Sequence, residues 1–337
     1  MAVRGSERAM ALRFSDILGQ SAVLAMLRES EVEGTLHHAL AFVGPEGVGK
    51  RTVALALAAR LLCTSPIDGE SCGVCESCHQ VAAGSHPDVH RERLLPLEKG
   101  DGFHSQMLIE QAHEIQRFLG GRALGGGKKI AIVEDAHALN EPAQNALLKT
   151  LEEPPRNSLI VLVCHNVSRL LPTVRSRCQR VAFAPLDRAT VETILRERLG
   201  QSETDARLIA TYSQGSVAFA ADVGSLREAH EAVGKLLRES SGRSYEAAAA
   251  AAAALAPRNT KGMPLEITVL LAQLRAELRA GAGLDEPREL TPRGKTGTLG
   301  DALGATQAAY AAVVDLGLHA NRRLAVERMW LRVAERL

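Results

Sequence analysis

The chain has 337 residues, 46% of them hydrophobic and 23% charged, with 40 Lys plus Arg against 39 Asp plus Glu. That apolar content excludes general disorder, and the near balance of charge argues against a nucleic-acid partner held by bulk positive charge. Aromatics are 3% of residues, too few for a base-stacking platform.

The opening segment, MAVRGSERAMALRFSDILG, is broken by charges before an apolar stretch forms. It does not read as a secretory leader, and no run of about 18 apolar residues predicts a membrane helix. The expected setting is cytoplasmic, with no membrane partner. Residues 14–33 read as a helix capped by Ser15, with Ile17, Leu18, Val23, Leu24 and Leu27 as its apolar set. Ala39 to Val43 reads as a buried strand that feeds a glycine loop, and Val53 to Leu62 as a helix. Clustered cysteines fill residues 63–88, and Met107 to Leu119 has the periodicity of an amphipathic helix. Gly125 to Gly127 is a turn. Lys129 to Val133 is a second buried strand, running into Glu134 and Asp135. Asn140 is placed to cap a helix through Leu151, which Pro154 and Pro155 stop. Leu159 to Val163 and Val181 to Phe183 are further strands.

Strands alternating with helices predict a three-layer α/β domain with a mostly parallel sheet. From Asp187 to about Ala220 only helical periodicity continues, and from about residue 225 the chain reads as all-helical. It includes eight consecutive alanines, Ala247 to Ala254. The glycines and prolines of residues 281–300 predict a flexible loop between helices. Val313, Val314, Leu316, Leu318, Leu324, Val326, Met329, Trp330 and Val333 form broad apolar helical faces.

Gly44-Pro45-Glu46-Gly47-Val48-Gly49-Lys50 follows a strand and opens a helix, the context of a phosphate-binding loop. Glycines let successive N–H groups turn toward one anion, and the helix N-terminus adds partial positive charge. Lys50 would reach the outer phosphates. The next position should carry a hydroxyl for Mg²⁺ but holds Arg51; Thr52 comes one residue late, rotated about 100° around the helix. The other reading is a glycine turn that only joins strand to helix. At the second strand end, motor ATPases place Asp for the metal and then Glu to activate water. Here the order is Glu134, then Asp135. Both are acidic and could hold a metal, but Asp135 as base would sit one carbon short. The alternative is a solvated strand terminus.

Cys63, Cys72, Cys75 and Cys78 read C-x8-C-x2-C-x2-C. Two-residue gaps let neighbouring thiolates converge on one tetrahedral ion, and four sulfur ligands leave no open position, so a zinc here would be structural. A disulfide pair and unpaired thiols are the other readings. His79 and His86 are substitute ligands that the site does not need. Cys164 and Cys178 stand alone and read as packing residues.

The phosphate loop, the four-cysteine insertion, Glu134-Asp135-Ala136, the segment from Asn145 to Pro155 (NALLKTLEEPP) and Leu171 to Cys178 (LPTVRSRC) occur together, with His37-His38-Ala39-Leu40 before the loop. From about Phe14 to Ala220 the chain resembles the subunits of the bacterial DNA polymerase III clamp loader, of the AAA+ superfamily. The resemblance implies an AAA+ P-loop domain over 1–186 with a zinc module at 63–78, a helical lid over 187–224 and a helical collar over 225–337. It implies a hetero-pentamer with motor (gamma/tau) and delta subunits that places a sliding clamp on primer-template DNA, as part of a DNA-directed DNA polymerase holoenzyme. It also carries over a role to the arginine of the Ser-Arg-Cys segment: Arg177 would reach the γ-phosphate of a neighbour. The phosphate loop residues Gly44, Gly47, Gly49, Lys50 and Thr52, with Glu134 and Asp135, would form the nucleotide site, ATP with Mg²⁺. Three departures mark the chain as a non-motor member with little or no ATPase activity of its own. They are Arg51, the Glu134-Asp135 order, and Ala218 where a motor would place a sensor arginine. The alternatives are an active motor subunit and a zinc-dependent nucleic-acid binding module.

Overall fold

In the computed structural model, the described residues are 13–96, 103–125, 127–219, 223–239, 255, 265–282, 299–317 and 322–334. Two compact units divide the chain: Met1–Ile194 with Gly215–Ala218, and Leu195–Gln214 with Phe219–Leu337.

The first unit is built on a five-stranded sheet. Its strands are β1 (Ala39–Val43), β2 (Val89–Glu92), β3 (Lys129–Val133), β4 (Ser158–Cys164) and β5 (Gln179–Ala182). They pair in the order β2-β3-β4-β1-β5, all parallel. Parallel pairing needs crossover helices, and these cover both faces. The pleat sorts the strand residues. Leu40, Phe42, Ile130, Ile132, Val161 and Val163 face a core shared with α1 (Ser21–Val32) and α2 (Lys50–Leu62). Ala39, Ala131, Val133, Ile160, Leu162 and Cys164 face a second core shared with α4 (Ile109–Gly120) and α5 (Glu141–Glu152). Between α2 and β2 lies the short α3 (Glu76–Ala83); α6 (Pro172–Arg175) precedes β5, and α7 (Arg188–Glu197) follows it.

The buried strands β1, β3 and β4 and the helix α5 form as the sequence predicts. Asn140 caps α5 through its Oδ1, which accepts from the Ala143 N–H at 2.9 Å. Three expectations need correction. The first helix does not run from residue 14 and Ser15 caps nothing: Phe14–Asp16 is a single 3-10 turn, and α1 begins at Ser21. Gly19 and Gln20 lie between them at φ +77° and +57°. The left-handed turn brings the Gln20 amide to the Ala184 carbonyl at 2.6 Å, while Phe14 is buried with its N–H on Glu70 at 3.0 Å. Tertiary contacts therefore override the helical signal. Second, the sheet has an edge strand, β2, that the sequence pattern does not predict, because Val-His-Arg-Glu lacks an apolar run. Third, Met107 precedes α4 and bridges to Leu139, with Met107 N–H on the Ala138 carbonyl at 2.8 Å.

The second unit contains α8 (Glu203–Tyr212), α9 (Val223–Glu239), α10 (Leu265–Gly281), α11 (Leu299–Gly317) and α12 (Arg322–Ala334). Successive packing of α9 on α10, α10 on α11 and α11 on α12 buries Leu226, Val233, Leu270, Leu274, Ala309, Val326 and Trp330. Arg275 of α10 lies over the Tyr310 ring of α11 at 4.9 Å from its centroid. Val333 and Met329 are buried, whereas Val314 is exposed. The alanine run, Leu318, most of residues 281–300 and the opening segment through residue 12 lie outside the described residues, as do the side chains of Leu316 and Leu324. Among the described residues, no helix is long and apolar enough to cross a membrane.

Candidate nucleotide site and cysteine knuckle

The parallel register brings the C-terminal ends of β1, β3 and β4 to one edge of the sheet: Val43 pairs with Cys164, and Val133 with Leu162. Gly44, Glu134 and His165 therefore emerge side by side. Gly44 begins the loop and Gly49, at φ +95°, caps α2. Gly47 admits no side chain. A Cβ there would come within 2.3 Å of Ser216 Oγ and 2.5 Å of Ala218 N, because Gly215–Ala218 lies against the loop with Val217 N–H on the Gly47 carbonyl at 3.0 Å. Ala218 thus sits beside the loop and brings no charge to it.

Lys50 is 6% exposed, and its ammonium donates to the carbonyls of Gly44, at 2.8 Å, and Pro45. Burial lowers its pKa, opposed by the neighbouring Cys164, Glu46 and Asp135. Thr52, two residues on, lies on another side of α2. Glu134 is not a solvated strand end: it is 7% exposed. Its Oε1 accepts from Arg91 Nε at 2.9 Å and lies 2.8 Å from the second Arg91 nitrogen, and its Oε2 is 3.6 Å from Arg51. The carboxylate that would hold a metal is therefore shared by two guanidiniums, one of them at the position where a hydroxyl should ligate Mg²⁺. These residues do not fit a nucleotide-bound Mg²⁺. Arg91 could not be found from the sequence, because β2 carries no strand signal; its contact with Glu134 follows from the β2–β3 register, Glu92 beside Val133.

Arg177 lies just before β5, at the N-terminal edge of the sheet, across the strands from the phosphate loop. A four- to five-residue strand spans about 15 Å. Arg177 Nε donates to Glu152 at 2.7 Å, with a second nitrogen on the same oxygen, and Nη1 donates to the Thr173 carbonyl at 2.9 Å. The pair is open to solvent, the side chains being 34% and 48% exposed.

At the far end of α2, the four cysteine thiols lie within 4.8 Å of one another and could hold a metal ion. The Sγ–Sγ distances of Cys63–Cys75 and Cys72–Cys78 are 4.0 Å. Metal–sulfur bonds of about 2.3 Å at tetrahedral angles give edges of about 3.8 Å, so the spacing fits a closed four-sulfur site and is far too long for disulfides. Backbone N–H groups of Cys72, Cys75 and Cys78 point at the thiols of Cys63, Cys72 and Cys75 at 3.2–3.4 Å, compensating thiolate charge. His86 is not a ligand: its Nδ1 accepts from Asp88 N–H at 3.0 Å and its Nε2 lies 3.1 Å from Ser77 Oγ, while Ser77 donates to the Leu62 carbonyl. His79 is exposed. Cys164 is fully buried and Cys178 packs against the second core; burial raises both thiols, Cys178 to about 11.

A parallel α/β sheet with a glycine loop at its C-terminal edge and a cysteine knuckle after the first loop helix defines a phosphate-loop class of protein. Within it, the chain belongs to the family described as DNA polymerase III, delta subunit, whose model matches residues 19–187. It is 39% identical over 170 residues to the DNA polymerase III subunit delta-prime of Pseudomonas aeruginosa, covering 50% of each chain. To the Escherichia coli delta-prime subunit it is 38% identical over 177 residues, 52% of this chain and 51% of that one. The E. coli subunit tau is 32% identical over 209 residues, 60% of this chain and 31% of that one. The chain spans about half the length of the delta-prime relatives it matches.

Proposed function

We propose that this chain is a non-motor, delta-prime-type subunit of a bacterial DNA polymerase III clamp loader. It acts in the cytoplasm with gamma/tau motor and delta subunits in a hetero-pentamer that loads a sliding clamp onto primer-template DNA. The observation that carries this reading is the pairing of Glu134 with Arg51 and Arg91, which leaves the chain's own loop without a magnesium site. Gly44, Gly47, Gly49 and Lys50 still form a phosphate cradle in backbone terms, but Thr52 and Asp135 do not supply the missing metal chemistry. Arg177 is the donor to a neighbour's γ-phosphate. It lies on the edge opposite its own loop and is tied by an exposed ion pair, an interaction that typically contributes only about 0–1 kcal/mol and is readily exchanged. A guanidinium on a phosphoryl group in transit is worth roughly 10³ to 10⁵ in rate. Cys63, Cys72, Cys75 and Cys78 hold one structural zinc. Residues 1–186 are the AAA+ P-loop domain, residues 187–224 the lid and the helices of 225–337 the collar that joins the subunits. A chain truncated after Ala220 is expected to fail to assemble.

The test is reconstitution with a motor subunit, comparing the intact chain with Arg177→Ala. The expected result is an assembled complex that loses the hydrolysis of the adjoining site. Unchanged turnover in the assembled Arg177→Ala complex removes the donor role. The similarity to the tau subunit favours one other reading, an active motor. Magnesium-dependent ATP turnover by the purified chain alone would establish it and overturn the non-motor assignment.

A further inference from the structure

Beside the phosphate loop, a second group of potential ligands is left unused by the function proposed above. Asp135 follows β3 in a left-handed conformation, φ +54°, and its carbonyl accepts from Ala138 N–H at 2.7 Å, closing a 3-10 turn over Ala136–Ala138. This turn carries His137. On the neighbouring strand, His165 is the first residue after β4. The β3–β4 register, Val133 beside Leu162, brings the two segments out together, and the imidazoles of His137 and His165 lie with centroids 3.7 Å apart. One ligand atom from each of Asp135, His137 and His165 lies within 4.8 Å of the other two.

We propose that Asp135, His137 and His165 form a second metal site, for a divalent transition ion of the zinc type. The donor set decides the class. Two imidazoles and one carboxylate suit zinc, cobalt, nickel or copper, whereas magnesium and calcium prefer oxygen alone. Three protein ligands leave a position open to water or an anion, unlike the closed cysteine knuckle.

Two further observations support it. Nδ1 of His137 is buried and has no hydrogen-bond partner among the described residues. Buried polar nitrogens are ordinarily satisfied, and coordination satisfies a ring nitrogen. The scaffold is also fixed. Gln144, 3% exposed, donates to the carbonyls of Leu139, at 2.9 Å, and Arg169, at 3.1 Å, and accepts from Leu171 N–H at 2.7 Å. It thereby holds the turn of His137 to the 3-10 turn Val167–Arg169 that follows His165. A cavity of about 240 Å³, lined in part by His137, Gln144 and Arg169, gives access to one side of His137. Arg169 and Lys50 add positive charge nearby, Glu46 negative charge.

The test uses the full chain, loaded with zinc at the cysteines, desalted, and titrated with Co²⁺ while visible absorption is followed. One further equivalent is expected, with a nitrogen–oxygen ligand-field spectrum and no thiolate charge-transfer band. His165→Ala and Asp135→Asn should abolish that equivalent and leave the zinc in place, and circular dichroism would verify their folding; exposed His165 can be removed without opening the core. Cys72→Ser should retain the cobalt equivalent. Absence of a further equivalent in the intact chain, or its persistence in His165→Ala, overturns the proposal. The Arg177 donor role is untouched by either result.

Discussion

Each end of α2 holds a recognisable chemical site, and the two differ in kind. Gly49 caps the helix at the phosphate loop and Cys63 ends it at the knuckle. At the knuckle, four thiols, their spacing and their N–H donors all agree with one tetrahedral ion. At the loop, the backbone agrees with phosphate binding but the side chains around the magnesium position do not. A strand, a glycine turn and a helix suffice to form the loop. The magnesium chemistry depends on individual side chains, and Arg51 beside Glu134 does not fit it. One site thus has side chains that fit its ion, the other a backbone without them.

The sharpest test of the comparison is removal of the knuckle's metal. Chelation or Cys72→Ser should release one zinc by elemental analysis and unfold residues 63–83 in hydrogen exchange, a local loss on the order of 10 kcal/mol. Next comes Glu134→Ala. It leaves Arg91, whose side chain is only 20% exposed, without its carboxylate. A loss of about 3 kcal/mol is expected in urea denaturation. Acidification acts on the link between knuckle and sheet. Burial lowers the pKa of His86, so the folded state binds fewer protons there than the unfolded state. Its contribution is complete above the ordinary histidine range near pH 6.5 and declines as pH falls below it. His86→Gln should flatten that part of the Tm profile. Arg51→Thr should change stability by less than about 1 kcal/mol, since Arg51 is 56% exposed. Its readout is nucleotide affinity with and without Mg²⁺. A gain of magnesium dependence sharpens the contrast between the two ends of α2, and magnesium-dependent binding already present in the intact chain breaks it. The smallest effect belongs to Glu152→Ala, which frees Arg177 at a cost of under about 1 kcal/mol by thermal denaturation.

How much of this could be read from the sequence follows from burial. Strands β1, β3 and β4 are covered on both faces and so appear as apolar runs; β2 lies at an edge and spells Val-His-Arg-Glu. Asn140 is legible because capping is local. The true start of α1 is not, because Gln20 adopts its left-handed conformation to bond Ala184, far along the chain. The cysteine spacing displays its own geometry. The salt bridge of Glu134 to Arg91 needs the strand register, as does the meeting of His137 with His165.

The thirteen residues of α2 make a strut about 20 Å long, with the glycine loop at one tip and the cysteine knuckle at the other. Its buried face, Val53, Ala54, Leu57 and Ala58, is clamped in the core, so the strut does not bend freely. Fraying at the knuckle tip would loosen the last turn without reaching the first. The integrity of the knuckle and the occupancy of the loop can therefore be varied separately, and amide exchange along this one helix would record each from its own end.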